Sequence, residues 1–195
     1  MKSIAILLLG LALCIQNTNA QKTIKIDKMP STIEDFLTLR NEISKTPEGG
    51  AALFVAAMHM YTKDKTIGNN AFTIASDRSL LKETGEGHKG FAPAGNMASM
   101  IKNYFAPKPY LAASYFAGTS PKNGYQLPSA PYKVVLTRNT YSTQPNGDIK
   151  VFVKCSGADS PRPVTLRKNN RGIWKVINYS SLFVGIRKPA VDDGL

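Results

Sequence analysis

The chain has 195 residues, 43% of them apolar, with 25 Lys or Arg against 13 Asp or Glu and a formal net charge of +12. That length and apolar content suit one domain with a core of its own, which needs no metal or disulfide to hold it. Two cysteines, Cys14 and Cys155, exclude a disulfide scaffold, and the two histidines, His59 and His88, lie far apart in sequence with no partner motif for zinc.

In chain order, Lys2 precedes an almost unbroken apolar run from Ile4 to Ile15. The run has the length of a secretory h-region and is too short to span a bilayer. Thr18-Asn19-Ala20 then offers a cleavage site. The expectation is a signal peptide over 1–20 and an exported protein, periplasmic or secreted, that begins at Gln21. Leu11-Ala12-Leu13-Cys14 competes as a lipoprotein box, but Leu13 is large where that box wants a small residue. A lipid anchor at Cys14 is the weaker reading.

Residues 21–30 are polar, end in Pro30, and read as a linker or edge segment. A single domain is expected over 31–189. Ser31 with Glu34 forms a capping box for a first helix, whose stripe is Ile33, Phe36, Leu37, Leu39 and Ile43. Thr46-Pro47-Glu48 starts a second helix, apolar nearly all round and therefore central. Asn70 to Ser76 fits either a short strand or a helical turn, and Gly85, Gly87 and Gly90 mark a flexible stretch. A third helix is expected over Pro93–Phe105, stopped by Pro107 and Pro109, and Gly118 to Pro131 reads as loop.

From Tyr132 the apolar period becomes two. Val134 and Leu136 alternate with Val135 and Thr137. After the turn Pro145-Asn146-Gly147-Asp148, Ile149, Val151, Val153 and Cys155 share one strand face. Val164 and Leu166 begin another strand, and Ile173 to Tyr179 a further one. The fold class is α+β: about three N-terminal helices packed on a C-terminal antiparallel meander of about four strands. Residues 190–195 are an acidic tail with Asp192 and Asp193.

The charge is segregated. Gln21 to Glu86 has nine basic and nine acidic residues, whereas Gly87 to Pro189 has fifteen basic residues and only Asp148 and Asp159 as acids. Such a field favours anionic partners, although a basic surface also serves solubility alone. On the meander, Lys150, Lys154, Arg167 and Lys175 alternate with core positions, which puts them beside Phe152 on the face away from the core.

No nucleophile elbow, Walker loop or dinucleotide fingerprint is present, and Gly85 to Gly90 lacks the Lys-Ser/Thr ending of a phosphate loop. Glu34, Asp35, Glu42 and Glu48 are read as clustering near helix starts, where the dipole explains them without catalysis. Cys155 reads as a small buried hydrophobe. Two loops carry binding chemistry. In the first, Tyr115, Asn123 and Tyr125 suit a sugar or a peptide, or the aromatics simply pack back onto the domain. In the second, Asp159 and Arg162 are spaced to pair in a loop stiffened by Pro161 and Pro163, either as a structural tie or as a rigid binding loop.

The runs at 114–125 (Ser-Tyr-Phe…Asn-Gly-Tyr), 157–166 (Gly-Ala-Asp-Ser-Pro-Arg-Pro-Val-Thr-Leu), 172–176 (Gly-Ile-Trp-Lys-Val) and 180–189 resemble a family of exported bacterial proteins known as a domain of unknown function. The resemblance implies export, a bacterial source and one α+β domain, and no mechanism. The order of helices then meander, with a late tryptophan, is similar to the nuclear-transport-factor-2-like cone fold, at the level of fold alone. The reading is an exported, non-enzymatic binding module with a basic C-terminal half, no cofactor and no metal. Its partner would be an acidic glycan or other anionic envelope polymer rather than nucleic acid. The alternatives are an enzyme with a pocket between helices and sheet, using Asp159, Tyr115 or Tyr125, and an envelope scaffold.

Overall fold

The computed structural model describes residues 21–190. The expected leader, the Cys14 box and residues 191–195 lie outside the described residues. The chain opens with a strand, β1 (Gln21–Ile26), where a linker was the other expectation. Its alternation turns Ile24 and Ile26 inward, which is enough to register it against the meander.

Helix α1 (Ile33–Ile43) starts one residue later than the Ser31 box implies. Thr32 is the cap, accepting a hydrogen bond from Asp35 N at 3.1 Å, while Ser31 donates to the Asp35 carboxylate. Asp in the first turn does the work assigned to Glu34. Helix α2 (Pro47–Lys63) begins as expected, with Thr46 accepting from Gly49 N at 3.2 Å and Pro47 in the first turn. Every residue from Pro47 to Met58 is buried.

Residues 70–76 belong to a full helix, α3 (Lys65–Ala75), capped by Asp64, whose carboxylate accepts from Ile67 N at 2.8 Å. Gly68 lets α3 lie against the end of α2; a Cβ there would come 2.1 Å from Tyr61 Cα. The glycine-rich stretch is a hairpin of β2 (Leu81–His88) and β3 (Phe91–Pro93), with a register shift between Glu83 and His88.

The expected third helix is shorter and changes pitch. Helix α4 (Gly95–Met100) runs into a π-turn at Ile101–Phe105, where Ala106 N donates to Ile101 O at 2.8 Å. Met97, Ile101 and Phe105 stay buried at intervals of four, and the wider turn sends Tyr104 to solvent. A short helix, α5 (Tyr110–Ala113), follows.

The C-terminal strands are β4 (Tyr132–Thr137), β5 (Ile149–Val153), β6 (Arg162–Lys168) and β7 (Trp174–Asn178). With β1 they form one antiparallel sheet of five strands in the order β1-β4-β5-β6-β7, one strand more than the meander alone. The fold is α+β. The outer edge of β7 is covered: Trp174 N donates to Ser44 O and Asp77 N to Val176 O. Phe54, Phe72, Phe105, Tyr179 and Phe183 fill the space beneath α2 with ring centroids 5.1–6.4 Å apart. No helix among the described residues is long and apolar enough to cross a membrane.

Candidate functional site

The two loops singled out by sequence fold onto the domain and onto each other. Tyr115 is buried, and its hydroxyl donates to Leu182 O at 2.8 Å. Tyr125 is also buried, donates to Arg187 O at 2.6 Å and stacks on Tyr110 at 5.6 Å. Burial pushes both phenols above their ordinary pKa. Asn123 is exposed, but its amide closes a capping box with Ser120 and donates to Gly118 O. Cys155 is buried, as its strand phase requires, with Sγ 3.3 Å from Ser114 Oγ.

The expected Asp159–Arg162 pair does not form. Asp159 is almost fully exposed and sits 3.2 Å from Arg187 instead. Arg162 turns away and donates to Gly185 O, because residues 185–187 run alongside the loop.

The sheet register puts Lys150, Phe152, Arg167 and Lys175 on the outer face, with Lys25 and Lys133 of the neighbouring strands. Lys154 and Phe152 line a shallow outer pocket of about 270 Å³. The four expected cations nevertheless differ. Arg167 is neutralised by a bidentate pair with buried Asp148, at 2.8 and 2.7 Å, which holds that carboxyl below the usual range. Lys175 bends around the sheet edge so that its amine bonds Ile74 O. Lys150 and Lys154 remain without an acidic partner among the described residues.

Lys175 thereby enters a cleft of about 500 Å³, where basic side chains from four parts of the chain meet. Arg40 comes from the end of α1, Arg78 from the segment after α3, Lys89 from the hairpin tip, and Arg171 from the β6–β7 turn. Among the described residues, Asp77 is the only acid in the lining. Its carboxylate already accepts from Ser79 N and Ser79 Oγ, at 3.0 and 2.8 Å.

Local chemistry positions two of these cations. The Arg78 guanidinium lies 3.9 Å from the centre of the Phe91 ring. The Asn169 side chain accepts from Arg171 N and Ile173 N, fixing the turn. Lys89 has φ of +54°, a left-handed conformation uncommon for a side-chain-bearing residue.

The charges act on one another. Burial first, then Arg40, lower Lys175 to about 8. His88, also in the lining, is lowered by burial and then by Lys89, Lys175 and Arg40. Arg40 is lowered by burial and then by Arg171. This is a cluster of like charges that Asp77 offsets only in part, and a bound anion would relieve it.

Of these cations the sequence nominated only Lys175. The signals for the others were the glycine-rich hairpin and the Asn169-Asn170-Arg171-Gly172 turn, neither of which shows from sequence that it faces the other. No group of three or more His, Cys, Asp or Glu side chains able to hold a metal occurs among the described residues.

The model of a family described as a domain of unknown function, DUF6935, matches residues 28–190, and the chain belongs to that family. No curated protein and no solved structure matches the chain.

Proposed function

We propose that this member of the family is an exported, non-catalytic module that binds an anionic polymer of the bacterial envelope, with the hairpin cleft as the place where an acidic group is held. The observation that carries the reading is the convergence of Arg40, Arg78, Lys89, Arg171 and Lys175 on one cleft whose only acid, among the described residues, is Asp77. Arginine guanidinium groups suit carboxylate, sulfate and phosphate oxygens through paired donors. Lys150 and Lys154 on the outer face extend the positive field and draw the polymer in. Export rests on the leader composition of residues 1–20.

The enzyme alternative receives less support. The space between α2 and the sheet is filled by aromatic and aliphatic side chains, the Tyr115 and Tyr125 hydroxyls are occupied, and Asp159 lies in solvent, paired with Arg187. Asp77, His88 and Ser76 all line the cleft but are not hydrogen-bonded to one another: the Asp77 carboxylate accepts from Ser79 and Ser76 Oγ lies against Met97 Sδ. The scaffold alternative would draw on exposed apolar surface. Among the described residues the large exposed apolar side chains are Tyr104, Tyr141 and Val184, in three separate segments.

Titration with a sulfated glycan at low and at high salt tests the proposal. Affinity should fall steeply as salt rises, since each contact releases a condensed counterion. Arg78→Ala with Arg171→Ala should weaken binding about ten- to a hundredfold, the worth of one or two charge-assisted hydrogen bonds. Absence of binding at ~50 mM salt, where attraction is least screened, would leave the cations as a solvated surface and end the proposal.

A further inference from the structure

The hairpin that walls the basic cleft has a second pocket on its other side. Strand alternation turns Lys82, Thr84 and Glu86 to that side and Leu81 to the cleft, and beyond the register shift between Glu83 and His88 the chain brings His88 to the cleft as well. Thr73 of α3 lines both, so the two hollows adjoin at that residue, with the hairpin contributing a wall to each.

The second pocket differs in chemistry. It has a volume of about 660 Å³, within the range of small-molecule sites, about 300–1,000 Å³. Its α2 and α3 walls carry Tyr61, Thr66, Asn69 and Asn70. The Tyr61 hydroxyl and the Asn69 and Asn70 amides have no hydrogen-bond partner among the described residues. Tyr61 packs on Phe72 and Phe105, at 5.8 and 5.5 Å, which fixes its ring. The opposite wall includes Ile101 and Lys102 of the π-turn, a feature concentrated at functional sites. Gly87 lets the hairpin close over this pocket: a Cβ there would lie 2.4 Å from Phe91 O and 3.6 Å from Asn70 Oδ1.

We infer that this pocket is a subsite for an uncharged sugar ring, continuous with the cleft, so that the module recognises an acidic glycan in which a charged ring neighbours a neutral one. Free amides that both donate and accept, beside a fixed aromatic ring, match the hydroxyl or acetamido groups and the apolar face of such a ring. Lys82 and Lys102 against Glu86 leave the pocket with little net charge compared with the cleft. The inference rests on the proposal that the cleft holds the acidic group.

Calorimetry with three ligands separates the two claims. Inorganic sulfate reports the cleft alone. A tetrasaccharide alternating uronate with N-acetylhexosamine spans both sites, and an all-acid oligogalacturonate of equal length does not match the second. The alternating tetrasaccharide should bind tightest. Asn70→Ala and Tyr61→Phe should each weaken it about three- to tenfold, the loss of one hydrogen bond, and leave sulfate binding unchanged. Arg78→Ala should weaken all three.

If sulfate binds but the alternating tetrasaccharide binds no tighter than the all-acid one, the subsite is refuted and the cleft stands. Wild-type binding of the alternating tetrasaccharide by Asn70→Ala and Tyr61→Phe would refute it equally. Failure of all three ligands at low salt removes the cleft and the subsite together. Circular dichroism of Asn70→Ala and Tyr61→Phe should match the parent, so a change in affinity is not a change in folding.

Discussion

The loops around Tyr115 and Asp159 and the hollows around the β2–β3 hairpin use similar residue types to opposite ends. In the loops, most buried polar groups are matched internally: tyrosine hydroxyls with carbonyls 67 and 62 residues away, Thr119 with Ser156, Cys155 with Ser114. Around the hairpin, cations from four segments are drawn together with almost nothing of opposite sign. Buried polar groups satisfied by the chain hold the fold. Polar and charged groups assembled by the fold and left facing a cavity are the ones available to a ligand.

That contrast should break cleanly under mutation. Tyr115→Ala removes a fully buried ring and its hydrogen bond, and should lower stability by about 3–5 kcal/mol in denaturant unfolding. The protein that remains folded should bind an acidic glycan as before. A loss of affinity with unchanged stability would move the binding site to these loops.

The cleft should behave the other way. Arg78→Ala with Arg171→Ala should remove binding worth about 1.5–3 kcal/mol, and the melting temperature should hold or rise, because like-charge repulsion is relieved. A drop in melting temperature comparable to that of Tyr115→Ala would make the two arginines structural.

Cys155→Ser, in the closed region, should lower stability by about 1–3 kcal/mol, the mutational range for a poorly matched buried hydroxyl. The native thiol should react slowly with a thiol reagent. Fast labelling at neutral pH would show the strand face to be open.

The smallest effect expected is on pH. Folded Lys175 titrates near 8, below its ordinary 10.5. Its charge is present below pH 8 and lost above it, so affinity for an anion should decline a few-fold between pH 7 and 9. The signs for binding and stability are opposite. The free protein should gain stability from pH 8 towards 10.5, as the folded state sheds a proton that the unfolded chain still holds. Lys175→Met should flatten both trends. The charged side chains that share the cleft with Lys175 are Arg40, Arg78, Lys89, Arg171 and Asp77; His88, lowered from its ordinary value first by burial and then by the neighbouring cations, is already neutral there.

Much of the scaffold was legible because its signals are local. Thr46-Pro47 sets the start of α2, and the alternation from Ile149 to Cys155 sets the inner sheet face. Features decided by distant partners were not legible. β1 is a strand because β4 offers it an edge, and α3 is a helix beyond its weak period because Asp64 caps it and Gly68 lets it approach α2. The pitch change at Ile101 is set by placing Phe105 in the core. The candidate site was the least legible part. Arg40 and Arg171 are 131 positions apart in the chain, and only folding reveals that they repel each other.

The most direct test is a two-dimensional NMR titration of the amide resonances with a sulfated oligosaccharide at low salt. The account predicts progressive shifts at Arg40, Arg78, Lys89, Arg171 and Lys175, with residues 114–125 and 155–163 unmoved. Shifts confined to those loops, or to the outer face at Lys150 and Lys154, would contradict it.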